Sequence, residues 1–317
     1  MIRVHFAGAD FARTSVSQHP APLVELKLAL MMLSRRDNDV FFGRWRRQLR
    51  RSLPATTRPL WDLVSSYRGP AFIDPVSVTV SEGLAAVQAT PPRRVRDDIE
   101  QIYAHRPSPP PSWLGDLLRG ERGARNVLGR ALADAYQTTL AETWPTVRDL
   151  HRAEFTRYAL TAAGSGMSRA LTSLVPGSQL SEPGTWQLAA PYERDIHLNG
   201  RGLTLLPTFH WTGMPLAADL PGQPVLLAYP AGPGLPVRVA EGHQDPLSAV
   251  LGRTRSQVLR LLADEHTTTG VARLAGISPA SASEHITALR GAGLIATVRD
   301  GATAHHRRTS LGTLLTG

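Results

Sequence analysis

TTGVARLAGISPASASEHITALRGAGLIATVRDGATAHHRRT, residues 268–309, holds two short helices, a tight turn between them and a two-stranded hairpin. Thr268 or Thr269 offers a hydroxyl to the orphan amides that open the first helix. Val271, Leu274 and Ile277 supply its apolar contacts. Ala275-Gly276 makes the turn, where glycine tolerates a left-handed backbone. Ser278 caps the second helix, and Pro279 takes its first position, where a missing N–H costs nothing. Ala282, Ile286 and Leu289 recur at i, i+4 and i+7, a narrow buried stripe. Gly291 and Gly293 end that helix. Leu294–Arg299 and Ala302–Thr309 then pair about Asp300-Gly301, a strong hairpin signal.

This order describes a winged helix-turn-helix, whose second helix enters the DNA major groove. Opposite the buried stripe lie Ala280, Ser281, Ser283, Glu284 and Thr287, short or polar side chains suited to base edges. With Ser278 and His285 they form the expected reading surface. Arg299, His305, Arg307 and Arg308 in the hairpin are the expected phosphate contacts. Glu284 stands apart, because a carboxylate facing DNA repels phosphate unless it accepts from a cytosine amino group. The blander reading, a wing used for dimerisation or protein binding, makes less of the basic far strand.

Around this stretch the chain has 317 residues, enough for about two domains. Its 42% hydrophobic and 19% charged content suits folded protein. There is no cysteine, which excludes disulfides, thiolate metal sites and cysteine nucleophiles. The net charge of +9 favours a polyanionic partner. That signal is discounted, since Lys27 is the sole lysine among 35 basic residues, a skew that a high-GC genome produces without functional cause. No apolar run approaches the ~18 residues of a membrane helix. Leu23 to Leu33 contains Glu25 and Lys27, so it reads as an amphipathic helix and not a signal peptide. A cytoplasmic location with no membrane partner is expected.

The expected class is α+β. Residues 1–240 form a regulatory or dimerisation region, helical over 1–178 with a small antiparallel sheet over 179–239, and residues 245–317 form the winged helix-turn-helix. Leu23, Leu26, Leu30 and Leu33 share one helix face. Arg44, Arg46, Arg47, Arg50 and Arg51 surround Trp45 and Leu49, more simply a solvated helix face than an auxiliary DNA contact. Pro107 to Pro111 is a stiff loop. Val127–Thr143 and Val147–Ala163 read as long helices, the second with Pro145 in its first turn, and Gly164-Ser165-Gly166 punctuates before a third. Trp186–Ala189, Arg194–Leu198, Leu203–Phe209 and Val225–Tyr229 read as strands, with turns at Asn199-Gly200 and Pro221-Gly222. Pro230 to Pro236 is a linker. Asp245-Pro246 opens a helix through Leu251, and Thr254 caps the next, Arg255 to Ala263, with Val258, Leu261 and Leu262 inward.

Residues 245–317 resemble the ArsR/SmtB-type winged helix of bacterial transcriptional repressors. The serine-x-histidine-hydrophobic pattern of that recognition helix stands here as Ser283-Glu284-His285-Ile286. The resemblance implies a homodimer on an inverted-repeat operator, released by a ligand. The metal-sensing members use cysteine clusters, and this chain has none. The upstream region resembles the N-terminal domain of unknown function that accompanies such winged helices in high-GC bacteria. Its carrying segments are Phe11-Ala-Arg-Thr and Pro191-Tyr-Glu-Arg-Asp-Ile-His-Leu through Gly200-Arg-Gly-Leu-Thr-Leu-Leu-Pro.

Signals for chemistry are sparse. Glu193, Asp195 and His197 are a candidate metal group, weighed against a solvated polar strand face. His305-His306 point to opposite faces of a strand. His210 beside Trp211 reads as a satisfied core residue, and His151 with Glu154 as a surface pair. No phosphate loop, dinucleotide fingerprint or nucleophile elbow is present. Gly164-Ser-Gly-Met-Ser lacks a preceding strand. Trp186, Tyr192, Phe209, Trp211 and Tyr229 line either an effector pocket or a core, and the core reading is favoured. No cofactor, metal or catalytic residue is expected, and effector residues are unassigned. The expected function is a ligand-responsive, homodimeric repressor partnered by double-stranded DNA and a small-molecule effector. The alternative is a small-molecule enzyme whose winged helix serves dimerisation, although it would lack the glycine-rich cofactor loop of methyltransferases so built. A protein-interaction adaptor is a third reading.

Overall fold

The computed structural model describes residues 1–35, 39–104, 106, 109–181, 184–190, 192–220, 222–232, 246–301 and 303–316. Asp245 and parts of the Pro107–Pro111 loop and the Pro230–Pro236 linker lie outside them. The chain divides into two units, Met1–Arg238 and Val239–Gly317.

The strands described in the first unit are β1 (Ile2–His5), β2 (Thr14–Val16), β3 (Gln179–Ser181), β4 (Thr185–Leu188), β5 (Arg194–His197), β6 (Leu203–Thr208), β7 (Leu216–Ala218) and β8 (Val225–Pro230). They form two four-stranded sheets, ordered β3-β4-β1-β5 and β2-β6-β8-β7. The α+β class stands. The single antiparallel sheet expected over 179–239 is corrected on two counts. There are two sheets, and β1–β5, β2–β6 and β6–β8 pair in parallel. Parallel neighbours require a long crossover. The helical region between β2 and β6 supplies one of them.

The segments quoted for the upstream resemblance meet in space. Asp10 Oδ1 accepts the Gly202 N–H at 2.9 Å, and Arg13 donates to the Gly200 carbonyl. Gly202 has φ 80°, and a Cβ there would stand 2.4 Å from the Arg13 carbonyl oxygen. Only glycine meets both demands, a left-handed backbone and so close an approach.

The helices of this unit are α1 (Gly8–Ala12), α2 (Pro22–Ser34), α3 (Asp39–Ser52), α4 (Pro59–Leu63), α5 (Val80–Ala89), α6 (Pro92–Tyr103), α7 (Ser112–Leu118), α8 (Arg122–Thr139) and α9 (Trp144–Leu174). The helix expected at Val127–Thr143 starts and ends a turn earlier. Its two successors are α9, broken at Gly166, where φ 82° and ψ 166° leave the helical region. Two cores result. One gathers α2 to α8, and the other lies between α9 and the apolar faces of the sheets. Trp186, Phe209, Trp211 and Tyr229 are buried, as the core reading has them, but Tyr192 is 43% exposed and stands outside the core.

Amphipathicity is the wrong description of α2. Eleven of its 13 residues are buried. Glu25 and Lys27 mark no solvent face. Lys27 pairs with Asp74, whose carboxyl burial pushes up to about 6 against the opposing pull of that ammonium. The last carbonyls of a helix buried this deeply need donors. Arg46 Nε reaches Met32 O at 2.8 Å, Arg50 donates to Leu33 O, and Ser66 Oγ to Ser34 O at 2.9 Å. Two of the clustered arginines therefore close the C-terminus of α2, and Arg46 is buried instead of solvated.

Glu25 Oε1 accepts from Phe209 N at 2.8 Å, His210 N at 2.6 Å and His210 Nδ1 at 2.7 Å. This ties α2 to the residues just past β6. His151, expected on the surface, is 1% exposed on α9. Burial first, then the charge of His19, lowers its pKa to about 4 against the pull of Glu25 and Glu154. The unfolded chain takes up this proton near its ordinary 6.5, before the folded one does. Stability should therefore fall as pH drops from about 6.5 to 4, by about 2 kcal/mol after allowance for solvent screening. Urea unfolding at both pH values, repeated on His151→Asn, checks this. An undiminished acid slope in the variant assigns it elsewhere.

On the outer face of β1 and β5, Arg3 pairs with Glu193 at 2.7 Å and Asp195 at 3.2 Å, and His5 with Asp195 at 2.8 Å. The candidate metal group is this solvated ladder. No cluster able to hold a metal occurs among the described residues. Nor is any described helix long and apolar enough to cross a membrane.

Candidate nucleic-acid interface

The second unit runs α10 (Pro246–Leu251), α11 (Arg253–Leu261), β9 (His266–Thr267), α12 (Thr268–Ala275), α13 (Pro279–Gly291), β10 (Ile295–Asp300), β11 (Thr303–Arg308) and α14 (Ser310–Thr316). Val258, Leu259, Leu262, Val271, Ala282, Ile286 and Leu289 form its core. Leu261 is only half-buried and Leu274 is 46% exposed, so neither is the core residue its spacing suggests. Ala272 occupies the inner face of α12 instead.

Local chemistry fixes each helix end. Gly252, with no side-chain contribution, begins α11 where Thr254 was expected to cap. Thr267 caps α12, its hydroxyl accepting the Gly270 N–H at 3.1 Å, one or two residues before the expected threonines. Gly276 adopts φ 66° and ψ 35°, and Ile277 N returns to Ala272 O at 3.0 Å, a Schellman closure. Ser278 Oγ accepts the Ser281 N–H at 3.1 Å with Pro279 behind it. Gly293 ends α13 in the same way, Leu294 N reaching Leu289 O at 2.9 Å. Gly291 remains within the helix.

At about 100° per residue, Ala280, Glu284 and Thr287 stand opposite the buried Ala282, Ile286 and Leu289. These three and Ser283 are exposed. Ser281 is half-buried, receiving a hydrogen bond from the Ser278 hydroxyl at 3.1 Å, and His285 is half-buried at the flank. Glu284 occupies the middle of the outward face and makes no ion pair among the described residues.

The wing departs from expectation. The ladder runs from Ile295↔Arg308 to Asp300↔Thr303, so the turn falls one residue beyond Asp300-Gly301. Arg299 and Arg307 are exposed, on opposite faces of the hairpin. His305 pairs with Glu265 at 3.2 Å. Arg308 turns inward and donates to Thr316 on α14, while its backbone N–H meets Leu262 O at 2.9 Å. Arg308 is therefore a strut of the unit, and its assignment as a phosphate contact is corrected. His306 is buried between Thr297 Oγ1 at 2.9 Å and Thr268 Oγ1 at 3.0 Å, joining wing to α12. Burial, then Arg290 and His305, lowers its pKa.

Other cations were missed. Arg273 and Arg290 are exposed in the last turns of α12 and α13, and Arg253 and Arg255 on α11. Basic residues at helix C-termini also complement the dipole, so the sequence signal is ambiguous. Residues 246–316 carry eight arginines against four carboxylates.

Two helices joined by a left-handed glycine, the second presenting small polar side chains beside a basic hairpin, form one recognisable unit. Residues 251–298 match the family model of the helix-turn-helix domain. That match covers the span from the end of α10 into β10 and supports DNA binding and transcription regulation. Neither the curated proteins nor the solved structures include a match to the chain.

Proposed function

We propose that this chain is a sequence-specific transcriptional regulator, a ligand-responsive repressor acting in the cytoplasm as a homodimer on an inverted-repeat operator. One observation carries the reading. The outward face of α13 is small and polar, and it lies in a unit with a surplus of exposed arginine. Such a face reaches base edges in the major groove while arginines hold phosphates. In this reading the N-terminal unit senses and does not catalyse. An effector that prefers the arrangement with wrongly spaced recognition helices lowers operator affinity by population shift.

Glu284 gives the reading its sharpest content. On the groove floor its carboxylate accepts from a cytosine amino group. Adenine also offers an amino group, but its neighbouring N7 lone pair repels the second oxygen. Footprinting on DNA upstream of the chain's own gene, with a salt titration, should reveal two half-sites about one helical turn apart. Glu284→Gln should abolish discrimination at one cytosine in each half-site, a loss of about 1–3 kcal/mol. Affinity for non-cognate DNA should rise, because a charge repelling phosphate is gone. No protected region at low salt sinks the regulator. Unchanged discrimination in the variant sinks only the role of Glu284.

A further inference from the structure

The middle aromatics Trp186, Phe209, Trp211 and Tyr229 belong to the core, and a cavity of about 660 Å³ lies elsewhere in the N-terminal unit. It opens where the C-termini of α2 and α3 meet the start of α4. Leu33, Leu53, Pro54 and Trp61 supply apolar walls, and Arg50 and Arg58 are the charged residues of the lining. No carboxylate lines it among the described residues. Arg50 already donates to Leu33 O, which cancels the negative end of α2. Arg58 is exposed and meets no carboxylate among the described residues.

We infer that this cavity binds a small organic anion, a carboxylate carried on an apolar or aromatic body. Two guanidiniums that meet no carboxylate among the described residues present forked donors that match a carboxylate. The volume decides between an inorganic ion and an organic one. Binding pockets of about 300–1,000 Å³ enclose drug-sized molecules, far larger than phosphate. Trp61 offers a flat partly exposed wall for an aromatic or alkyl body, with Leu53 and Pro54 beside it. Such a ligand is the effector of the regulator proposed above, a link that rests on that reading.

The site itself is tested without DNA, so its failure and the failure of the regulator are told apart. The purified 317-residue chain is titrated calorimetrically with benzoate, indole-3-acetate and octanoate, and in parallel with benzamide and inorganic phosphate. At least one carboxylate should bind once per chain, about tenfold more tightly than its uncharged amide or phosphate. Arg58→Gln should weaken that carboxylate about tenfold while leaving the amide unchanged. Trp61→Leu should weaken both. Arg58 is exposed, so its variant should melt like the parent, and a thermal scan verifies this. The inference is overturned if no carboxylate binds at ~10 mM, if phosphate binds as tightly, or if Arg58→Gln binds like the parent.

Discussion

Replacing Glu25 by alanine should lower the stability of the N-terminal unit by about 3–5 kcal/mol, the cost of removing one partner from a buried charged network. One carboxylate oxygen accepts from two backbone amides and an imidazole, and all three lose their acceptor together. Glu25→Gln keeps an acceptor oxygen at the same reach and should recover about half of the loss. Urea denaturation of the three proteins gives the comparison. An alanine variant within about 1 kcal/mol of the parent means the amides find other acceptors at little cost. Destabilisation without recovery by glutamine assigns the effect to charge and not to hydrogen bonding.

The second large effect belongs to DNA affinity. The double variant Arg299→Ala/Arg307→Ala should weaken binding to every sequence alike, by one to two orders of magnitude at low salt. The slope of log affinity against log salt should become shallower by about two, one counterion for each lost phosphate contact. Arg308→Ala is the internal contrast. Its partner is Thr316, so it should lower the melting temperature and leave the salt slope alone. If the double variant keeps the parent slope, the wing does not touch phosphate. If Arg308→Ala flattens it, the inward placement does not describe the DNA-bound unit.

The helix-turn-helix was legible because its signals are local. Ser278-Pro279 and the left-handed Gly276 lie within a few residues of the turns they set, and each works by capping or by the missing Cβ. The threonine cap shifted only slightly, since adjacent threonines offer the same hydroxyl. Arg308 was misread because its partner sits on α14, a helix of seven residues that is too short to show a period. The sheets were misread for a different reason. β2 has three residues and β1 four, and their partners lie more than 170 residues onward. Nothing local marks such strands. Polar residues within an apolar helix normally announce solvent, and Glu25 and Lys27 defeat that inference by pairing inside.

The distance between paired strands also bears on how the protein is made. His5 and Thr185 face each other across 180 residues of chain. At about 5–20 residues per second, a ribosome needs roughly 10–40 s to deliver the partner after β1 has emerged. During that interval α2 to α8 can collapse around their own core, since their contacts are nearer in sequence. β1 and β2 meanwhile wait with unsatisfied edges, open to pairing with other nascent chains. Yield in the cell should therefore depend on translation speed and chaperone supply far more than the stability of the finished fold suggests.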